Sequence, residues 1–95
     1  MLIAIDFDDT LTADAELWRD CIAKAISRGH LVMCVTARRD TTENREWISD
    51  WMKEHGISLY THYTSLASKV DHVARIGVKV DIWIDDDPRK CAMGH

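Results

Sequence analysis

Residues 2–10 read LIAIDFDDT, a short apolar run that leads directly into three carboxylates and a hydroxyl. An uninterrupted apolar run of this length is typical of a strand that is covered on both faces of a sheet. Ionised carboxylates are costly to remove from water unless a cation or several donors compensate them. The stretch therefore predicts a buried strand, Leu2 to Ile5, that ends in a metal-binding or phosphate-handling loop. A polar turn before a helix is the alternative, but it explains one Asp and Thr10 and not the whole set.

Two further apolar runs end in polar residues of the same kind. The run from Leu31 to Val35 is followed by Thr36-Ala37-Arg38, and the run from Val80 to Ile84 is followed by Asp85-Asp86-Asp87-Pro88. Lys69 lies between these two segments in the sequence. Any one of these features is weak evidence alone, whereas their occurrence in order at strand ends is specific.

The ordered set resembles the motifs of the haloacid dehalogenase (HAD) superfamily of phosphotransferases. The family pattern is D-x-D-x-[TV] after the first strand, a Ser or Thr after the second, a Lys or Arg, and an acidic pair after the fourth. The resemblance covers nearly the whole chain. It implies an α/β, three-layer Rossmann-like HAD fold with a short, mainly four-stranded parallel sheet of order 4-1-2-3. A receiver domain also uses Asp, Thr and Lys, but it places them after different strands.

The resemblance also implies a role for each motif residue. Asp6 would attack phosphorus to form an aspartyl-phosphate, and Asp8 would serve as general acid and then as general base. Thr36 and Lys69 would contact the phosphoryl oxygens and stabilise charge in the transition state. Lys79 is the alternative to Lys69, but it precedes the fourth strand and is expected at the opposite end of the sheet.

The same resemblance implies a Mg²⁺ ion as cofactor. Its protein ligands would be the carboxylate of Asp6, the backbone carbonyl of Asp8 and a carboxylate of Asp85, and Asp86 would support them. Oxygen ligands of this kind suit a hard, octahedral cation. In an open α/β sheet such a site lies at the carboxyl ends of the strands, where the strand order reverses.

The substrate is predicted from what surrounds the motifs. Thr10 and Arg38 are expected to contact it, although a solvent-exposed loop arginine is the alternative for Arg38. The segment 61–67 is too short for a cap domain, so the site is open. Tyr60 and Tyr63 could stack a base, or simply pack a loop. The Thr-Ala-Arg segment is similar to that of small, often phage-encoded, HAD phosphatases, some of which act on nucleotides or polynucleotide ends.

The sequence thus predicts a magnesium-dependent phosphomonoesterase acting on a nucleotide or nucleic-acid end. The alternative is a non-catalytic phosphate- or nucleotide-binding module that keeps the fold. A fifth strand, common in the family, is not expected, which would leave strand 4 as an exposed edge. Association into a homo-oligomer would cover it, with Trp18 and Trp83 as candidate contacts.

Composition agrees with one domain, residues 1–95, in a cytoplasmic protein. The 95 residues are 46% hydrophobic and carry a net charge of −4, which suffices for one small core. No apolar run is long enough to span a membrane. The cysteines Cys21, Cys34 and Cys91 form no pair with metal or redox spacing and are expected to be reduced, chiefly packing residues. The five histidines, His95 among them, also lack metal-binding spacing and are expected in loops or at the surface.

Hydrophobic periodicity predicts three helices between the strands. Each ends near a glycine, and the second carries Trp47, Ile48, Trp51 and Met52 on one face, with both tryptophans expected in the core. The predicted bounds are Thr12 or Asp14 to Arg28, Thr41 or Thr42 to Gly56, and about Ser68 to Ile76. A third strand is expected from Ile57 to Tyr60. Helices on both faces of a parallel sheet follow from this alternation.

Overall fold

A computed structural model describes residues 1–87 of the chain. The predictions made for Cys91 and His95 lie outside these described residues. Within them the chain forms an α/β structure with a four-stranded parallel sheet. The strands are β1 (Leu2–Ile5), β2 (Leu31–Thr36), β3 (Thr61–Tyr63) and β4 (Ile82–Ile84), and the α-helices are α1 (Ala15–Ser27), α2 (Thr42–Glu54) and α3 (Lys69–Arg75).

The strands lie in the order β3-β2-β1-β4. Read from the opposite edge of the sheet, this is the order 4-1-2-3 that the resemblance implied. Strand β1 pairs with β2 on one side and with β4 on the other. The loops that follow β1 and β4 are therefore neighbours, although they are far apart in the sequence.

The two faces of the sheet bury different side chains. Ile5 and Cys34 face a core that includes Ile22 of α1 and Ile48 of α2. The alternate residues of the same strands face Val73 of α3 on the other side; they are Ala4, Met33 and Val35. Successive strand residues point to opposite faces, so the continuous apolar runs of β1 and β2 supply both cores and the sheet lies between two helical layers.

The helix boundaries follow from capping, much as the sequence predicts. The side chains of Asp14, Thr41 and Ser68 each accept a hydrogen bond from a backbone N–H of the first helical turn. Such caps satisfy N–H groups that have no partner within the helix. A glycine with a positive φ angle follows each helix closely; these are Gly29, Gly56 and Gly77. Glycine tolerates this left-handed conformation, which ends a helix without strain.

The predicted third strand, Ile57 to Tyr60, is wrong, because β3 spans Thr61–Tyr63. The N–H of Ile57 bonds to the carbonyl of Met52, and its side chain is buried against the end of α2. Residues 57–60 thus return the chain from the helix, and pairing with β2 begins where Cys34 donates to the carbonyl of Tyr60. The apolar pattern of this segment indicated burial, which Ile57 shows, but it did not indicate strand pairing.

Two burial predictions are also wrong. Trp47 is 50% exposed, because its position on α2 faces the carboxyl end of the sheet and not the core. Cys21 is exposed, whereas Cys34 is buried as expected. The short sheet covers only the middle of α1, where Ile22 is buried, so flanking apolar residues such as Leu17 stay about half exposed.

No helix within residues 1–87 is long and apolar enough to cross a membrane. In the described part of the chain, β4 pairs on one side only, with β1. Trp18 and Trp83 are partly buried against the two cores. Association into a homo-oligomer stays a prediction.

Candidate active site

The predicted motif residues converge at the carboxyl ends of the central strands. Asp6 directly follows β1, and its N–H donates to the carbonyl of Ile84 at the end of β4, at 2.9 Å. This bond extends the β1–β4 pairing by one residue and brings Asp6 beside Asp85. Lys69 is the first residue of α3, the helix that packs on the opposite face of the sheet from α1 and α2.

The ammonium of Lys69 links the first and last motifs. Its Nζ lies 2.6 Å from Oδ1 of Asp6 and 2.5 Å from Oδ2 of Asp85. All three side chains are almost completely buried, with 1% of Lys69 and 4% of each carboxylate exposed. Lys79 is exposed and lies near Asp81, which contacts the opposite end of β1. The structure therefore brings Lys69, and not Lys79, to the carboxylates.

Burial governs the protonation of this group. It raises the pKa of Asp6 to about 6, although the hydrogen bond and charge of Lys69 act in the opposite direction. Burial also acts to lower the pKa of Lys69, but the hydrogen bonds to Asp6 and Asp85 outweigh it, so that pKa is raised. A single ammonium shared by two carboxylates leaves excess negative charge, which a second cation would offset.

Thr10 connects Asp6 to the last acidic residues. It is buried, and its Oγ1 lies 3.3 Å from Oδ2 of Asp6 and 3.5 Å from Oδ1 of Asp86. The same hydroxyl accepts the N–H of Asp86 at 3.1 Å. In the structure Thr10 thus orders the carboxylates, and the predicted contact between Thr10 and substrate stays a prediction.

Three carboxylates are close enough to hold one cation. Asp6, Asp85 and Asp86 each offer an oxygen, and these oxygens lie within 4.8 Å of one another. An all-oxygen set fits Mg²⁺ or another hard divalent cation better than a soft one. The carboxylate of Asp8 is not part of this group.

Asp8 is instead paired with Arg38. Nε of Arg38 donates to Oδ2 of Asp8 at 2.9 Å, and Nη2 donates to Oδ1 at 2.7 Å. The pairing is bidentate, a geometry that a planar guanidinium and a carboxylate favour. The hydrogen bond to Asp8 raises the pKa of Arg38. This ion pair joins the loop after β2, which carries Arg38, to the loop after β1, which carries Asp8. Both side chains are partly exposed.

Thr36 completes the set at the end of β2. It is fully buried, and its Oγ1 accepts the N–H of Arg38 at 3.2 Å. Its carbonyl accepts the N–H of Thr64 at 2.9 Å, so the loop after β3 holds the loop after β2. Within residues 1–87 the Thr36 hydroxyl acts as an acceptor, which leaves its own proton to donate.

Two residues near Arg38 were missed by sequence reasoning. Asn44 accepts from Nη1 of Arg38 at 3.3 Å and donates to the carbonyl of Arg39 at 2.9 Å. Trp47 lies beneath the guanidinium, with Cζ of Arg38 4.6 Å from its ring centroid. Both lie on one side of α2, at positions three apart, which is the spacing that puts side chains on one helix face. Their spacing, soon after the Thr-Ala-Arg segment in the sequence, was the signal that could have identified them as neighbours of Arg38.

The two tyrosines proposed for stacking differ in position. Tyr60 precedes β3 and is 73% exposed, with its ring against His62. Tyr63 ends β3 beside the end of β2, where Arg45 lies over its ring at 5.6 Å. Only Tyr63 lies at the carboxyl end of the sheet with the site.

Comparison of the chain with models of protein families, with curated proteins and with solved structures finds no match.

Proposed function

We propose that this protein is a magnesium-dependent phosphomonoester hydrolase of the HAD type. The observation that carries the proposal is the buried Lys69 ammonium between Asp6 and Asp85. A carboxylate that is to attack an anionic phosphate ester must be held in line, and the negative charge around it must be neutralised. A buried lysine shared by two carboxylates at strand ends supports both needs, and the proposed Mg²⁺ would offset the negative charge that remains.

In the first step, Asp6 attacks phosphorus and forms an aspartyl-phosphate while the ester oxygen leaves. Asp8 protonates that oxygen as the general acid. Thr36 donates its hydroxyl to a phosphoryl oxygen, and Lys69 stabilises the charge that develops there. These interactions accelerate the step to the extent that they strengthen as charge develops in the transition state.

In the second step, Asp8 removes a proton from a water molecule, and the resulting nucleophile attacks phosphorus. The bond between Asp6 and phosphorus breaks, and inorganic phosphate leaves with its oxygens still facing Thr36 and Lys69. Dividing one displacement into two lets the same residues serve both halves of the reaction.

Mg²⁺ would be held by Asp6, Asp85 and Asp86, with the backbone carbonyl of Asp8 as the further predicted ligand. When bound, it neutralises charge on the phosphate. The fit rests on the oxygen-only donor set within 4.8 Å. Burial, which raises the pKa of Asp6, is a second support, because an ionised carboxylate removed from water gains from a nearby cation.

A nucleotide or a polynucleotide end is the proposed substrate. The segment between β3 and α3 is short, and the carboxyl-end side chains of Asp8 and Arg38 are 41% and 27% exposed. A site that is open on this side admits an ester whose alcohol part is large.

A non-catalytic module that binds a phosphate or nucleotide is the second candidate, and one observation favours it. Both oxygens of Asp8 are engaged by Arg38, so the proposed acid–base group is held in an ion pair. Binding needs only Lys69, Thr36 and the cation site, whereas turnover also needs Asp8 to exchange protons.

Hydrolysis of an aryl phosphate separates the two candidates. The wild-type protein should release phosphate with Mg²⁺ present and stop when a chelator is added, and Asp6→Asn should be inactive under both conditions. Asp81→Asn is the matched control, because Asp81 lies at the opposite end of β1. Turnover by Asp6→Asn at the wild-type rate, or none by the wild type together with tight phosphate binding, contradicts the enzyme.

A further inference from the structure

The indole of Trp47 borders the candidate active site and is half exposed. Cζ of Arg38 lies 4.6 Å from its ring centroid, and the centroids of Trp47 and Phe7 are 5.6 Å apart with the two rings nearly perpendicular. The residue is nevertheless 50% exposed. Beside the guanidinium and the phenyl ring, about half of the residue is thus in contact with solvent.

Core packing alone gives little reason for an indole in this position. Phe7 is fully buried and already meets Trp51 edge-on at 5.1 Å. The ion pair with Asp8 and the bond to Asn44 already hold Arg38 in place. The exposed half of Trp47 gains nothing from burial, because it stays in water. Beside an anion-binding site, however, it offers an aromatic plane next to a cation.

We infer that Trp47, together with Arg38, forms a stacking surface for the base of a nucleotide whose phosphate lies against Asp6 and Lys69. The inference rests on the proposed function for the position of the phosphate. Bases stack on aromatic rings and on arginine guanidinium planes, and they do so with little dependence on base identity. Within residues 1–87, three of the five guanidinium N–H groups are used by Asp8 and Asn44, so two can donate to the ligand.

The position of Trp47 selects a nucleotide over a simple aryl ester. Contacts lead from Asp8 to Arg38 and from Arg38 to Trp47, so the indole lies beyond the carboxylates and not over them. In an aryl phosphate the ring is bonded to the ester oxygen and stays at the carboxylates. In a nucleotide the ribose separates base from phosphate, which lets the base reach the indole. This differs from stacking on Tyr60 or Tyr63, which the sequence left open beside simple packing of a loop.

The test compares adenosine 5′-monophosphate with ribose 5-phosphate, two esters that differ only by the base. The ratio of their kcat/KM values is measured for the wild type, Trp47→Ala and Trp47→Phe. The wild type should prefer the nucleotide, and Trp47→Ala should lose that preference by about 5- to 150-fold. Trp47→Phe should keep most of it, because the aromatic plane remains. Tyr60→Ala, which removes an exposed ring at the other end of β3, should keep the wild-type ratio.

A loss that is equal for both esters in Trp47→Ala overturns the inference, because Trp47 would then only support Arg38. An unchanged ratio overturns it as well.

The same four proteins are also titrated calorimetrically with both ligands in the presence of Mg²⁺, which decides the inference without turnover. Tighter binding of the nucleotide than of ribose 5-phosphate, lost in Trp47→Ala and kept in Trp47→Phe, supports it even if neither ester is hydrolysed. Nucleotide binding without hydrolysis of either ester would contradict the hydrolase and leave the nucleotide-binding module. Equal affinity of the wild type for the two ligands overturns the stacking surface whether or not the protein is an enzyme.

Discussion

Nζ of Lys69 lies 2.6 Å from Oδ1 of Asp6, a residue 63 positions earlier in the chain, and both groups are buried. The same ammonium contacts Asp85, so one side chain of α3 joins the ends of β1 and β4. Removing one partner of a buried ion pair leaves an uncompensated charge, which is more costly than the pair itself is stabilising.

Replacing Lys69 with methionine should therefore lower the free energy of unfolding by about 3–5 kcal/mol. Urea denaturation measures it, and Lys79→Met is the matched control, because that exposed surface lysine should change stability by less than about 0.5 kcal/mol. Added Mg²⁺ should restore part of the loss in Lys69→Met by supplying positive charge to the carboxylates. Equal stability of the two variants would show that the Lys69 ammonium does not neutralise the site.

Mg²⁺ should raise the thermal midpoint of the wild-type protein, because a ligand that binds the native state stabilises it by mass action. The effect should be reduced in Asp85→Ala, which removes one of the three converging carboxylates. Differential scanning fluorimetry over a metal titration measures the shift. If millimolar Mg²⁺ moves neither midpoint, the acidic group is not a metal site.

The raised pKa of Asp6 predicts an unusual pH dependence of stability. Its value rises from 3.8 to about 6 through burial, so between these values the folded protein holds a proton that the unfolded chain releases. Without metal, the free energy of unfolding should fall as pH rises from about 4 to 6, by roughly 3 kcal/mol at most. Urea midpoints at the two pH values measure the fall.

Asp6→Asn is the control for this pH dependence, because an amide does not titrate. The fall should be smaller in this variant, and Mg²⁺ should also reduce it in the wild type by binding the ionised carboxylate. The same fall in both proteins would assign the pH dependence to other groups.

Much of this arrangement could be predicted from the sequence. The apolar runs of β1 and β2 and the capping residues Asp14, Thr41 and Ser68 report local preferences that the tertiary structure keeps. The meeting of Lys69 with the carboxylates followed from the strand order that the resemblance supplied.

Other features depend on long-range geometry that no local pattern contains. Ile57 is buried without strand pairing, because the end of α2 takes it up, while Leu59 is partly buried and Tyr60 is exposed. The bidentate contact between Asp8 and Arg38 joins positions 30 apart. The first turns of α2 lie beside this contact, so Trp47 packs against Arg38 and stays half exposed. A tryptophan at helical spacing is more often buried, so periodicity misplaced it.

The proposed role of Asp8 as general acid predicts how the choice of leaving group affects activity. Asp8→Asn should reduce the hydrolysis of alkyl phosphates by about 10²–10⁴-fold, because a poor leaving group needs the general acid. With an aryl phosphate, the first step needs little protonation, so a burst of alcohol should precede slow turnover. Stopped-flow absorbance measures the burst, and equal losses for both ester classes without a burst would contradict the assignment of Asp8.

The aspartyl-phosphate on Asp6 is the central claim, and trapping it is the most direct test. Asp8→Asn is mixed with an aryl phosphate and Mg²⁺, quenched in acid during the burst, digested and examined by mass spectrometry. The account predicts a phosphoryl group on the peptide that contains Asp6. The double variant Asp6→Asn/Asp8→Asn should carry none. Phosphate release by the wild type with no phosphorylated peptide in Asp8→Asn, or with the phosphoryl group on another residue, would contradict it.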